Sequence, residues 1–449
     1  MVDFKSIYPK YKEEGIKILE KLIAFESILD KYEPNSDAPF GIENKKALEY
    51  FLELGNKAGF ITKNVDNYAG HLEYGEGEEI LGILGHLDVV PVDKADWVSD
   101  PFKLSIRDGK MYARGSIDDK GPVVASYIAL KMLHDLGFKP NKRIRLIVGC
   151  DEESGSRCLK RYLECEQRPS LGFSPDADFP LIYGEKGMMS YDIIADITDD
   201  VIEDFICGTR YNIVPALAKM KLSINLEKEY LEYLKNNNHQ GEVIDGYLVA
   251  YGKASHAMCP SNGINAAFIL FDFLNKYTDS KIARFVDKYL LFDTLGEKLG
   301  YDCYDEEMKF LTSNLALVNK SGNTLKIGVN CRLPLDSCHN VIKESLKIAC
   351  LEFGYSYNII SESKRHYVSK DSDLVKKLMK AYKEVTGDNS EPITIGGGTY
   401  AREIGNAVAF GPMFLGREDV CHIANEYMFI EDFDKAVEIY FKAIYELTK

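Results

Sequence analysis

The sequence predicts an α/β chain of two domains, and three observations lead there. Apolar stretches of strand length alternate with a helical run: Ile80–Leu84, then Pro122–Leu136, then Ile144–Val148. That spacing suits strands joined by helices rather than by hairpins. Both strands lead into polar clusters, His86 with Asp88 and Glu152 with Glu153, and open α/β sheets carry their sites beyond the carboxyl ends of their strands. Finally, 449 residues are enough for two or three domains of roughly 100–200 residues each.

Composition narrows the class. With 45% hydrophobic and 28% charged residues the chain has apolar material for a core, which excludes disorder and fibre. Its 55 Lys and Arg stand against 70 Asp and Glu, a net charge of −15. An acidic surface repels phosphate, so nucleic acid and anionic membrane are not expected partners.

The elements follow in order. Met1–Asp30 reads as a Lys/Glu-rich helix with Ile16, Leu19, Leu22 and Ile23 at helical spacing. It lacks the basic start and apolar run of a secretion signal, and no stretch of 18 apolar residues predicts a membrane span. The ten cysteines form no C-x-x-C pair, so they are expected as reduced, mostly buried thiols of a cytoplasmic protein, Cys259 and Cys421 included. After Tyr183 the pattern changes to short strands, charged helices and polar loops such as Asn236–Gln240, which places the start of a second domain near Gly184. A Lys/Leu-patterned helix is predicted over Val368–Thr386, followed by Gly396, Gly397 and Gly398, and an amphipathic helix over Asp432–Leu447.

The motifs carry chemistry of one kind. In His86-Leu87-Asp88 the alternate residues of an extended segment point to one side and can serve one site. Gly115-Ser116-Ile117-Asp118-Asp119-Lys120-Gly121-Pro122 opens the helical run with two adjacent acids, more than one helix cap needs. Asp151-Glu152-Glu153 places three carboxylates in a row, which repel unless cations or solvent relieve them. Asp176 lies in Pro175-Asp176-Ala177-Asp178, and His422 in Cys421-His422-Ile423-Ala424-Asn425-Glu426. Together these supply a mixed nitrogen and oxygen donor set suited to zinc, manganese or cobalt and too rich in nitrogen for calcium. The triple glycine lacks a phosphate-loop ending and is expected as backbone along a substrate cleft.

In this order the motifs resemble the di-zinc metallopeptidases that include carboxypeptidase G, succinyl-diaminopimelate desuccinylase and carnosinase. Trp97–Phe102, the D-D-K-G-P form and Gly396–Arg402 are similar to the PepV-type bacterial dipeptidases. The resemblance implies a central mixed sheet flanked by helices, with an inserted α+β lid. Residues 1–183 and 368–449 would form the metal-binding domain and 184–367 the lid. It implies two divalent ions, zinc first. Asp118 would bridge them, His86 and Asp176 completing one site and Glu153 and His422 the other, with the Asp118–Asp119 peptide cis. Glu152 would be the general base and Asp88 would orient His86. From the lid, His256 in Ala254-Ser255-His256-Ala257 would stabilise the oxyanion. Asn212, Arg332, Gly397, Gly398 and Thr399 would contact substrate, a guanidinium suiting a peptide carboxylate.

The activity so implied is hydrolysis of short unblocked peptides by a monomer, dipeptides above all, with Xaa-His or β-Ala-His among them. Two other readings remain open: an N-acyl amino acid deacylase or desuccinylase using the same site, and a catalytically silent homologue. The intact Glu152 argues against silence.

Overall fold

The structure is a computed structural model describing residues 4–449; the first residues of the predicted N-terminal helix, Met1–Asp3, lie outside the described residues. The chain divides into two compact units. One holds the chain up to Gly184 with Tyr367–Ile393 and Gly398–Lys449, and the other holds Glu185–His366 with Thr394–Gly397.

In the first unit, four strands lie side by side and parallel: Arg143–Gly149, Ile80–His86, Leu171–Ser174 and Ala407–Ala409. Register pairs His86 with Gly149 and Ala409 with Ser174. Beyond Arg143–Gly149 the sheet continues antiparallel through Ala69–Tyr74 and Ile61–Val65. Every residue of Ile80–His86 is buried, as expected of a parallel strand covered on both faces. The five longest helices of this unit are Phe4–Ile23, Ile42–Lys57, Lys120–Asp135, Asp373–Thr386 and Ile430–Thr448. Their apolar sides share one core with the sheet, Leu19, Phe51, Ile128, Leu378 and Ile444 among its members.

Element ends differ from the sequence expectations by a few residues. The helix expected from Val368 begins at Asp373, because Ser372 accepts the Val375 N–H as a cap while Val368 donates to Tyr183 O at 2.9 Å. The N-terminal helix ends at Ile23 rather than Asp30. Past it, the buried Lys120 ammonium donates to Leu22 O at 3.0 Å and Phe25 O at 2.9 Å, satisfying carbonyls that a helix end leaves unpaired.

The second unit is an antiparallel sheet of eight strands in the order Gln240–Ile244, Tyr247–Tyr251, Leu217–Leu222, Ile202–Cys207, Thr312–Ser321, Thr324–Leu333, Gly187–Asp196 and Ser356–Ser363. Helices Glu227–Asn236, Ala266–Tyr277, Lys281–Tyr289 and Cys338–Phe353 enclose a separate apolar core with it. Among the described residues no helix is long and apolar enough to cross a membrane. All ten cysteines are unpaired, and Cys259 is exposed where burial was expected.

Candidate metal centre

The parallel strands explain why residues distant in sequence meet. Strand Ile80–His86 ends in His86, Arg143–Gly149 runs out into Glu152 and Glu153, and Leu171–Ser174 into Asp176. Their carboxyl ends therefore open at one edge of the sheet. Ala407–Ala409, parallel to them, leads toward His422.

Asp118 lies between the two histidines. Its Oδ1 is 3.0 Å from His86 Nε2 and its Oδ2 is 2.9 Å from His422 Nε2. Asp176 Oδ2 approaches His86 Nε2 at 3.7 Å, and both Glu153 oxygens lie 3.1 Å from His422 Nε2. Two groups result, His86 with Asp118 and Asp176, and Asp118 with Glu153 and His422. In each, one donor atom per residue lies within 4.8 Å of the others, a spacing able to hold a metal ion. The adjacent acid Asp119 is turned elsewhere: its Oδ2 accepts the His86 backbone N–H at 3.0 Å. The Asp118–Asp119 peptide is cis. Gly121 belongs to the same turn, where a Cβ would collide with the Ser116 carbonyl.

Asp88 meets the His86 ring through its main chain as well as its side chain. The His86 ring is held through Nδ1 by the backbone carbonyl of Asp88 at 2.9 Å, with the Asp88 carboxylate at 3.5 Å. A donated Nδ1–H leaves Nε2 as the nitrogen aimed at Asp118, the tautomer a metal-binding imidazole needs. The Asp88 carboxylate itself accepts the backbone N–H groups of Glu152 and Glu153. Behind them, Asp151 forms a two-point ion pair with Arg157, at 2.7 and 2.5 Å.

The electrostatics show a demand for positive charge. Burial disfavours a charged His422, yet hydrogen bonds to Asp118 and Glu153 prevail and push its pKa up to about 11. Burial likewise opposes the His86 cation, and Asp118, Asp176 and Asp88 outweigh it and raise its pKa well above the usual range. Burial pushes the Glu152 carboxyl well up, aided by the charge of Asp176, and burial with Asp118 lifts Glu153 to about 7. Five acidic side chains and two histidines crowd beyond one sheet edge, and the raised pKa values of the imidazoles and of both glutamates are the mark of that crowding. Divalent ions would relieve it, and the donor set fits them.

The remaining candidates sit in other settings. In the second unit, Asn212 and His256 are neighbours: the Ala257 N–H donates to Asn212 O at 2.9 Å, and Ile213 pairs with His256 between short strands. His256 Nδ1 accepts the Met258 N–H at 3.1 Å, so Nε2 carries the proton of the neutral ring. Arg332 is buried, its Nε donating to Asn330 Oδ1 at 2.9 Å and its Nη1 to Gly396 O at 3.0 Å. Gly397 belongs to that unit and Gly398 to the first. A Cβ at Gly398 would run into the Arg402 guanidinium, and Thr399 is buried, its Oγ1 accepting the Ala401 N–H.

Sequence reasoning passed over three supporting residues. Lys120 and Asp119 belong to the Gly115–Pro122 motif, where two charges between glycines signal burial with a purpose. Glu426, at the end of the Cys421–Glu426 motif, is fully buried and ion-paired to Arg114 at 2.5 Å.

Residues 82–446 match the peptidase family M20/M25/M40. The chain belongs to that family. It is 40% identical over 458 residues to "Putative dipeptidase YtjP" of Bacillus subtilis, covering 98% of each chain, and 39% identical over 462 residues to a "Putative dipeptidase" of Staphylococcus epidermidis, again 98% of each. Among solved structures it is similar to human carnosine dipeptidase 1, with a TM-score of 0.62 at 17% identity over 98% of this chain and 97% of that one. The dipeptidase Dug1p of Saccharomyces cerevisiae is similar at 0.60 and 16% identity over 99% of each. These two likenesses extend the shared M20 fold to both units. As an M20 peptidase the chain is a peptide-bond hydrolase, and the family implies use of a divalent metal.

Proposed function

We propose that this M20 peptidase is a cytoplasmic, monomeric dipeptidase that uses two divalent ions, zinc first, to cleave short unblocked peptides. The observation that carries the reading is Asp118 shared between two donor groups, with Glu152 beside the ligand Glu153. Names carried by relatives about 40% identical over the whole chain support dipeptides as substrates.

In this reading His86, Asp118 and Asp176 hold one ion and Asp118, Glu153 and His422 the other. When bound, such a pair lowers the pKa of a shared water and polarises a carbonyl oxygen. Glu152 takes the proton of the attacking water and returns it to the leaving amine. Its raised pKa suits a group that must hold that proton between the two steps. Asp88 fixes the backbone that presents Glu152. Residues 1–183 with 368–449 carry this chemistry, and residues 184–367 act as a lid bringing His256 Nε2–H to the developing oxyanion. Arg332 and Asn212, with Gly397, Gly398 and Thr399, line the substrate site.

The test is hydrolysis of a dipeptide panel, β-Ala-His included, beside N-acetyl and N-succinyl amino acids, by chelator-stripped protein before and after addition of zinc, manganese or cobalt. Metal-dependent cleavage of free dipeptides supports the reading. Turnover of acylated amino acids alone would make the protein a deacylase, and two bound ions without turnover would make it a silent homologue.

A further inference from the structure

We propose that Glu426 is a positioning residue that assembles the centre before any ion arrives, by fixing the Asp118 loop to the segment that carries His422. The proposal deepens the metal reading and rests on Asp118 and His422 being ligands.

The argument begins with what one side chain touches. Glu426 is fully buried, a state carboxylates avoid unless fully paired. Its Oε1 accepts the Ile117 N–H at 2.9 Å and the Asp118 N–H at 3.3 Å, with Ser116 Oγ at 3.5 Å. Its Oε2 takes Arg114 Nη1 at 2.5 Å, and its backbone carbonyl accepts the Ala113 N–H at 3.1 Å. From Ala113 to Asp118, every residue except Gly115 thus makes a hydrogen bond to Glu426.

The same residue lies four positions after His422, on a segment with a particular backbone path. His422 and Asn425 both occupy the left-handed region, with φ of 64° and 61°. Asn425 is tied down as well, its Oδ1 accepting the Val98 N–H at 2.9 Å and its Nδ2 donating to Asp96 O at 3.2 Å. Asp118 and His422 face each other at 2.9 Å, and Glu426 is the bracket joining the two backbones behind that contact.

An ion pair serving stability alone would be a poor use of this site, since burying two charges costs desolvation that an apolar pair of like volume avoids. An apolar pair, though, accepts no backbone N–H, and here two N–H groups lead into the residue that both donor groups share. Preformed geometry spares the ions the cost of ordering the loop.

The first test uses wild-type, metal-stripped protein and hydrogen exchange of the peptide containing Ile117 and Asp118. Slow exchange that zinc leaves unchanged is expected. Fast exchange that becomes slow only on adding zinc would overturn the proposal, since the metal and not Glu426 would be ordering the loop. The second test uses Glu426→Gln, which has one acceptor oxygen in place of two, and Arg114→Lys, which keeps the charge and loses the planar fork. For variants whose circular dichroism matches wild type, cobalt(II) titration should show affinity at one or both sites weakened about 10- to 100-fold, with shifted visible absorption bands. Wild-type affinity and spectrum in Glu426→Gln would overturn the proposal. Should that variant not fold, Arg114→Lys and the wild-type exchange decide it. Failure of wild-type protein to bind either ion would instead refute the ligand assignment itself, and is read without any variant.

Discussion

Asp88 accepts the backbone N–H of Glu152 at 3.0 Å and, through its other oxygen, that of Glu153 at 3.1 Å. One carboxylate therefore ties the loop after His86 to the loop that carries the proposed base. Asp88→Asn keeps the shape but offers one acceptor oxygen, so one of the two amides loses its partner. The expected outcome is a loss of about 1–3 kcal/mol in stability, read by urea unfolding, and a lower kcat. Metal content should persist, because the His86 ring is held by the Asp88 main-chain carbonyl.

Glu152→Gln removes the proposed proton carrier and leaves both donor groups intact. Turnover should fall about 10²–10⁴-fold, with zinc per protein unchanged by elemental analysis. A near-normal rate would remove Glu152 from the chemistry.

Asp118 and His422 separate the two groups. Asp118 belongs to both and His422 to one, so Asp118→Ala should lose both ions under dialysis while His422→Ala loses one. Equal losses in the two variants would contradict a shared carboxylate.

Metal binding should release protons. In the metal-free protein the pKa of His422 stands up at about 11 and that of His86 is raised as well, so both rings hold a proton at pH 7. A ligating imidazole must be neutral, so each ion displaces protons and its affinity rises with pH. Calorimetric titration with zinc in two buffers of different ionisation enthalpy at pH 7 should show a net release of protons, and affinity should fall as the solution is acidified. No net release would mean that the ions displace no protons from these rings.

His256→Ala tests the second unit. Loss of one donor to an oxyanion costs about 10²–10³ in kcat, and metal content should stay at the wild-type level. An unchanged rate would mean that this unit takes no part in the chemical step.

Much of the centre was legible in the residues. His86 and Glu153 follow apolar strands, Asp176 stands in an acidic loop motif, and Asp118 opens a helix whose glycines and proline mark it as a special turn. Periodicity reached the core of each element and not its ends: Ser372 as a cap and Lys120 as the donor to two carbonyls are contacts that decide where helices start and stop. Neither contact leaves a periodic trace.

What the sequence determined by itself was the kind of chemistry, because donor types and the apolar runs before them are local properties. Only the tertiary structure decided which partners each acid meets. Asp118 and Asp119 are identical and adjacent in sequence, yet one carboxylate faces both histidines and the other accepts the His86 amide. Glu426 reads as one more acid near a histidine until the fold brings the Asp118 loop against it. The physical reason is that burial and backbone direction set a carboxylate's partners, and both depend on contacts between segments hundreds of residues apart, which spacing along the chain does not encode.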